Sequence, residues 1–230
     1  MFSHMGTTLL ANDIAADIRK KIQDGRYTQN TRLTVRLLCE EYGVSETPVK
    51  QALNQLEGKG LVVAIPKCGV RVKSFDFEEM RNIWMARLMI ETFAADAAVE
   101  MARTSNRFRD KVQTLLSVTD VEYEHCREAF TKENFFSLGP HDYALHKEIV
   151  LCCDNPVIID MYENLHTHER MFVGFDVHTP ASLARTKSQH DAIIAALLSG
   201  DVVLLRKNIR DHIETTIDLY HHHGVPQKKK

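Results

Sequence analysis

Residues 43–62 read GVSETPVKQALNQLEGKGLV, and this stretch restricts the fold more than any other. Val49, Ala52, Leu53 and Leu56 stand at i, i+3, i+4 and i+7, the apolar stripe of an amphipathic helix. Ser45 is placed to cap it. Pro48 falls in the first turn, where backbone N–H groups have no intrahelical partner and a missing one costs little. Gly60 stands where such a helix should stop. The other face carries Glu46, Thr47 and Lys50, so the segment buries one side and presents the other.

The flanking segments suggest what the presented side is for. Residues 8–23 carry Leu10, Ile14, Ile18 and Ile22 at intervals of four, a first helix that Gly25 ends. Residues 34–42 form a second, shorter helix, with Leu37 and Leu38 apolar and Cys39 filling a small site. Two short helices joined by Gly43-Val44-Ser45 make a helix-turn-helix pattern. After Gly60, the β-forming runs 61–65 and 70–73 flank Pro66-Lys67-Cys68-Gly69, a hairpin. The expectation is a winged helix-turn-helix over residues 1–75. In that motif the N-terminal end of the second helix faces base edges in the major groove. Ser45, Glu46, Thr47 and Lys50 lie at that end, Arg36 can reach phosphate or base from the preceding helix, and the wing contributes Lys67 and Gly69. Taken alone, these side chains could equally be a solvated face. Charge helps to decide: residues 1–75 hold 11 Lys+Arg against 7 Asp+Glu, while the remainder holds 18 against 24. A basic front on an acidic body points to a polyanion at the front only.

The run RLTVRLLCEEYGVSETPVKQALNQLEGKGLVVAIPKCGVRV resembles the N-terminal domain of the GntR family of bacterial transcription regulators. The resemblance rests on Arg32-Leu33, Gly43-Val44-Ser45, Thr47-Pro48-Val49, Ala52-Leu53, Leu56, Gly60-Leu61 and the wing glycine Gly69. Two positions depart from the family, which usually has arginine where this chain has Glu46 and Lys50. Lys50 keeps the charge but lacks the bidentate fork. Glu46 reverses the charge and can accept from cytosine N4. The departures bear on which operator sequence is read.

Residues 74–76 form a short junction. Asp76 followed by Glu79 resembles a capping box opening a long helix to about Arg103. Helical segments are then expected at about 105–118, 120–132, 140–153, 156–172, 182–199 and 202–222, with no strand pattern after Lys73. The fold class is therefore mainly α: a winged helix-turn-helix followed by an all-α bundle over residues 76–223, with a disordered basic tail at 224–230. Within the bundle, Asp142 and His146 are at i and i+4. His190 heads the stripe His190, Ile193, Ile194, Leu197, and His212 falls in the stripe Leu205, Ile209, His212, Thr216. All four side chains should point inward. One inward histidine is usually a satisfied core residue; three with an aspartate call for a shared purpose, and imidazole with carboxylate suits Zn²⁺, with Ni²⁺ or Mn²⁺ as alternatives.

These positions carry a second resemblance, over about residues 76–220, to the FCD ligand-binding domain of FadR-type GntR regulators. Its marks are Arg87 with Glu91, Asp142 with His146, then Asn155, His190 and His212. The resemblance implies that the aspartate and three histidines bind a divalent metal whose coordination a small organic acid completes. By analogy Arg87 would pair with the ligand carboxylate; read from spacing alone, Arg87 and Glu91 are a surface ion pair. His166 and His168 could line the pocket or lie on the surface. His221 to His223 read as a solvated tail able to bind metal adventitiously.

The leading expectation is a homodimeric, ligand-responsive repressor that binds a pseudo-palindromic operator and responds to a small carboxylic acid such as a sugar acid. The alternative is a regulator for which the metal itself is the signal. An enzyme is not expected, since no HExxH motif and no base placed behind the metal ligands stands out. No run nears the roughly 18 apolar residues of a membrane span, and residues 1–10 lack the pattern of a signal peptide. The expected location is cytoplasmic. Cys39, Cys68, Cys126, Cys152 and Cys153, odd in number and without a C-x-x-C pair, read as reduced thiols; adjacent Cys152 and Cys153 leave redox sensing open.

Overall fold

The computed structural model describes residues 7–66, 68–74, 76–167 and 175–222. Lys67, His168 and the 224–230 tail therefore lie outside the described residues. The chain divides into two compact units, Met1–Phe75 and Asp76–Lys230.

The first unit has the order α1 (Thr7–Gln23), β1 (Arg32–Leu33), α2 (Val35–Tyr42), α3 (Glu46–Gly58), β2 (Val62–Ile65) and β3 (Gly69–Val72). The strands make one antiparallel sheet in the order β1-β3-β2. Ile14 and Ile18 of α1 pack with Leu38 of α2 and with Val49, Leu53 and Leu56 of α3. Thr34 caps α2 by accepting from the Leu37 N–H. Gly43 ends α2 at φ 65°, the left-handed conformation that turns the chain towards α3. Leu37, one of the apolar residues of α2, is 46% exposed rather than in the core. Ser45 takes the N-cap position of α3, but its hydroxyl makes no capping hydrogen bond. The two-residue strand β1 had no legible pattern. It explains Gly69, whose φ is 92° and whose added Cβ would stand 2.4 Å from the Leu33 carbonyl oxygen.

The described part of the second unit contains only helices: α4 (Phe77–Thr104), α5 (Asn106–Glu128), α6 (Lys132–Leu151), α7 (Pro156–Glu163), α8 (Pro180–Ser199) and α9 (Val202–His222). Side-chain caps fix most of the starts: Asp76 accepts from Glu79 N, Ser105 from Phe108 N, Thr131 from Asn134 N, and Asn155 from Val157 N and Ile158 N. Thr179 and Ser182 form a reciprocal capping box for α8.

Four segment expectations need correction. The segments 105–118 and 120–132 are reorganised into one helix, α5, ending at Glu128; buried Thr119 returns its hydroxyl to the Leu115 carbonyl and leaves the helix unbroken. The third segment does not begin at Pro140. α6 starts eight residues earlier, at Lys132, and runs through Gly139-Pro140. Phe135, Leu138, Asp142, Leu145 and His146 are all buried on it, and that packing offsets the roughly 3 kcal/mol that an interior proline costs. α7 stops at Glu163, with Asn164 as its cap, well short of residue 172. His221 and His222 form the last turn of α9 rather than a tail, and the His221 ring meets Phe77 at 5.3 Å.

Candidate functional site

In the first unit, the polar end of α3 is as exposed as the sequence suggests, but its charges are engaged. Lys50 Nζ donates to Glu46 Oε2 at 2.7 Å, and Arg36 Nε donates to Glu40 Oε1 at 2.9 Å. The Lys50 hydrogen bond holds the Glu46 carboxyl below the usual range. Ser45 and Thr47 are exposed beside them. Arg32, noticed in the sequence only as an entry residue, donates through Nε to the Cys68 carbonyl and braces the wing turn.

In the second unit, α6, α8 and α9 bring Asp142, His146, His190 and His212 together. One ligand atom from each lies within 4.8 Å of all the others, and all four residues are buried. His190 Nε2 is 2.9 Å from Asp142 Oδ1 and 3.1 Å from His146 Nε2. The outward nitrogens have partners that orient the rings. His146 Nδ1 donates to Glu91 Oε2 at 2.8 Å, His190 Nδ1 meets the Tyr123 hydroxyl at 3.1 Å, and His212 Nδ1 faces Gln189 Oε1 at 3.4 Å. The Gln189 amide is held that way round because its nitrogen donates to Thr215 Oγ1. An ionised Glu91 only accepts, so His146 carries its proton on Nδ1 and turns the Nε2 lone pair inward.

The electrostatics favour the ligand forms of Asp142, His146 and His212. Burial and the Arg87 charge lower the affinity of His146 for a proton and outweigh Glu91 and Asp142, which raise it; burial and the other two imidazoles push His212 well below its ordinary value. Burial opposes ionisation of Asp142, but His190, His146 and Arg87 outweigh it and hold the carboxyl well below its usual range. Neutral imidazoles and an ionised carboxylate are what a divalent cation requires. Lone pairs packed this closely repel unless a proton or cation lies among them, so the donor set fits a metal. Tyr123 and Gln189 carried no signal in the sequence, and Glu91 was read there only as a partner of Arg87, not of His146.

Arg87 is not a surface residue. It and Glu91 are 5% and 0% exposed, and Arg87 Nε donates to Glu91 Oε1 at 2.5 Å. Glu91 Oε1 also accepts from the Tyr162 hydroxyl at 2.8 Å, so Glu91 ties Arg87, Tyr162 and His146 together. Arg87 Nη2 is buried without a hydrogen-bond partner among the described residues. A pocket lies beside it, lined by Arg87, Asp142 and His212 and by the apolar side chains of Trp84, Phe135 and Leu183. His166 is half-buried at φ 47°, just after α7, and does not line this pocket. All five cysteines are free. Burial pushes Cys152 up to about 12, the opposite of what a reactive thiolate needs.

A family model described as bacterial regulatory proteins, gntR family, matches residues 10–72, and the FCD domain model matches residues 82–215. The HTH-type transcriptional repressor GlaR of Escherichia coli (strain K12) is 24% identical over 206 residues, covering 88% of this chain and 91% of its own. The gluconate operon transcriptional repressor of Bacillus subtilis (strain 168) is 21% identical over 211 residues, covering 89% and 82% respectively. A solved structure of a putative transcriptional regulator GntR from Rhodococcus sp. RHA1 superposes with TM-score 0.73 at 19% identity, covering 94% of this chain and 99% of that one. No described helix is long and apolar enough to cross a membrane.

Proposed function

The chain belongs to the gntR family of bacterial regulatory proteins, with an FCD domain as its second unit, and from that premise we propose that it is a repressor whose second unit holds a divalent metal and a small organic acid. The single observation that carries this reading is the buried set Asp142, His146, His190 and His212 beside an arginine with a free donor. A divalent ion held by those four residues supplies a positive, Lewis-acidic centre for an anionic ligand. Zn²⁺ suits three imidazoles and a carboxylate, and Ni²⁺ and Mn²⁺ are the alternatives. Arg87 supplies the second positive group: Nε is committed to Glu91 while Nη2 stays available to a carboxylate oxygen. A repressor of a gluconate operon among the relatives is consistent with carboxylic acids as the effector class.

An effector works only through differential affinity for two states. Acid titration by calorimetry, with and without operator, is the test. Acid affinity should change on adding operator, and Arg87→Ala should weaken the acid while leaving metal content intact. Equal affinity in the free and operator-bound forms would leave the metal itself as the signal.

At the DNA end, Arg36, Ser45, Glu46, Thr47 and Lys50 form the reading surface in this proposal, with Lys67 and Gly69 from the wing. Arg36→Ala and Lys50→Ala should each weaken operator binding by about 1–3 kcal/mol if the side chain reads a base. Unchanged affinity for both at fixed salt would remove the assignment. Glu46 competes with DNA for Lys50, so Glu46→Gln should strengthen binding to all sequences if its only role is that ion pair, and should change base preference if it reads cytosine. A pseudo-palindromic operator implies a second copy of the chain. Met85, Met89 and Phe93 form an exposed apolar row on α4, and Val157 and Met161 on neighbouring α7 are also exposed, which favours a homodimer through that face. Sedimentation at the mass of a single copy would count against it.

A further inference from the structure

The pocket beside Arg87 has a cavity volume of about 50 Å³, several times what one water needs. Its polar atoms are largely committed. Thr186 Oγ1 donates to the Ser182 carbonyl and Thr216 Oγ1 to the His212 carbonyl, each at 3.1 Å. The Tyr123 hydroxyl meets His190, and His178 Nε2 meets the Tyr220 hydroxyl at 3.1 Å. Two buried polar atoms of its lining residues have no partner among the described residues, Arg87 Nη2 and Trp84 Nε1, and both are donors. Asp142 and His212 belong to the proposed metal set, and most of the remaining wall is hydrocarbon. Phe135 lines it, with the Phe136 ring at 5.7 Å and the His178 ring at 4.5 Å, and Leu138 and Leu183 line it too.

This wall discriminates between classes of acid. A carboxylate satisfies Arg87. A polyhydroxylated chain also brings several O–H donors; Asp142 can accept from those near it, but hydroxyls buried against Phe135, Phe136 and Leu183 would lose their water partners and find no acceptor on those side chains, and each such loss weakens binding by about tenfold. A flat apolar ring gains contact with the aromatic wall instead. We infer that the acid taken by this pocket carries an apolar, ring-sized body on its carboxylate rather than a chain of hydroxyls. The inference rests on the proposed reading of Arg87 as the carboxylate anchor.

Acetate, phenylacetate and gluconate serve as probes on the Zn²⁺-loaded full chain. Trp84, the only tryptophan of the chain, lines the pocket and gives a fluorescence readout; calorimetry checks it. Acetate measures the anchor alone, and the ratio of phenylacetate to acetate affinity measures the wall. Phenylacetate should bind about 30-fold tighter than acetate, and gluconate no more than about threefold tighter than acetate. Phe136→Ala, at a half-buried position, should cut the phenylacetate-to-acetate ratio by about tenfold with acetate affinity retained, and retained acetate binding itself shows that the variant is folded. Gluconate binding tighter than phenylacetate, with both lost in Arg87→Ala, would overturn the apolar body and leave the anchor standing. An unchanged ratio in Phe136→Ala would overturn the wall as the recognition surface. Acid affinities unaffected by Arg87→Ala, or no binding of any probe, would overturn the anchor and the inference together.

Discussion

Replacing His146 and His190 together with alanine is expected to leave the protein without stoichiometric metal, whereas the unaltered chain should carry about one divalent ion per copy. Two residues are changed because His212 and Asp142 with water could retain an ion after the loss of one ligand. An ion present at about a thousand times its dissociation constant stabilises the native state by about 4 kcal/mol. For a chain of this size that corresponds to a melting point lower by roughly 10 °C. The alanines also leave voids in the core, so the matching control is the unaltered protein stripped by chelator: it should show the metal's share of the loss and recover it on adding Zn²⁺, while the variant should not respond. His221, His222 and His223 are replaced by serine in every sample, since three adjacent histidines bind metal on their own. The readouts are elemental analysis and calorimetric melting. A double variant that still holds one ion per chain would sink the site. The same variant should lose the acid's effect on operator binding, which separates a regulatory site from a purely structural one.

How much of this site was legible in the sequence depended on distance along the chain. Asp142, His146, His190 and His212 each lie on an apolar helical stripe, so period alone turns them inward, and three helices that share a core bring them together. The partners behind them were not legible. Glu91 lies 55 residues from His146 and Tyr123 lies 67 residues from His190, and no local period links such pairs. Spacing showed that Arg87 and Glu91 could pair, but not that the pair is buried. α4 packs against both α6 and α9, which the period of a single helix does not reveal. The same limit explains Pro140: a proline is a local signal for a helix start, while the reason α6 continues through it is the core around Phe135 and Leu145. In the first unit the helices and hairpin were legible because each is a local pattern. β1 was not, because two residues carry no period and only pairing with β3 defines it.

Glu91→Ala should be the most damaging single change in the second unit, lowering stability by about 3–5 kcal/mol, because it leaves the Arg87 guanidinium buried without its carboxylate. It also removes the acceptors of Tyr162 and of His146 Nδ1, freeing that ring to choose the wrong tautomer for metal binding. Glu91→Gln keeps the shape and removes the charge, so its metal affinity and its pH profile test the electrostatic part alone. Burial by itself would raise the Glu91 carboxyl, but Arg87 and His146 override it and bring it from 4.5 to about 2 in the fold. A depressed carboxyl contributes stability above its unfolded value and loses it as pH falls towards the folded one. At 1.36 kcal/mol per pH unit this is roughly 3 kcal/mol, lost between about pH 4.5 and 2. Asp142, also depressed, adds to the same acid stage. His146 and His212 are depressed too, and for an imidazole the unfolded chain then binds more protons below about 6.5, so their loss begins at higher pH. Metal-free protein should therefore weaken in two stages on acidification, the first below about pH 6.5 and the second below about pH 4.5. Urea unfolding of chelated protein from pH 7 down to 3 resolves them. Glu91→Gln should flatten the second stage and leave the first in place; a profile parallel to the unaltered chain throughout would mean that Glu91 is not the ionised anchor that joins Arg87 to His146.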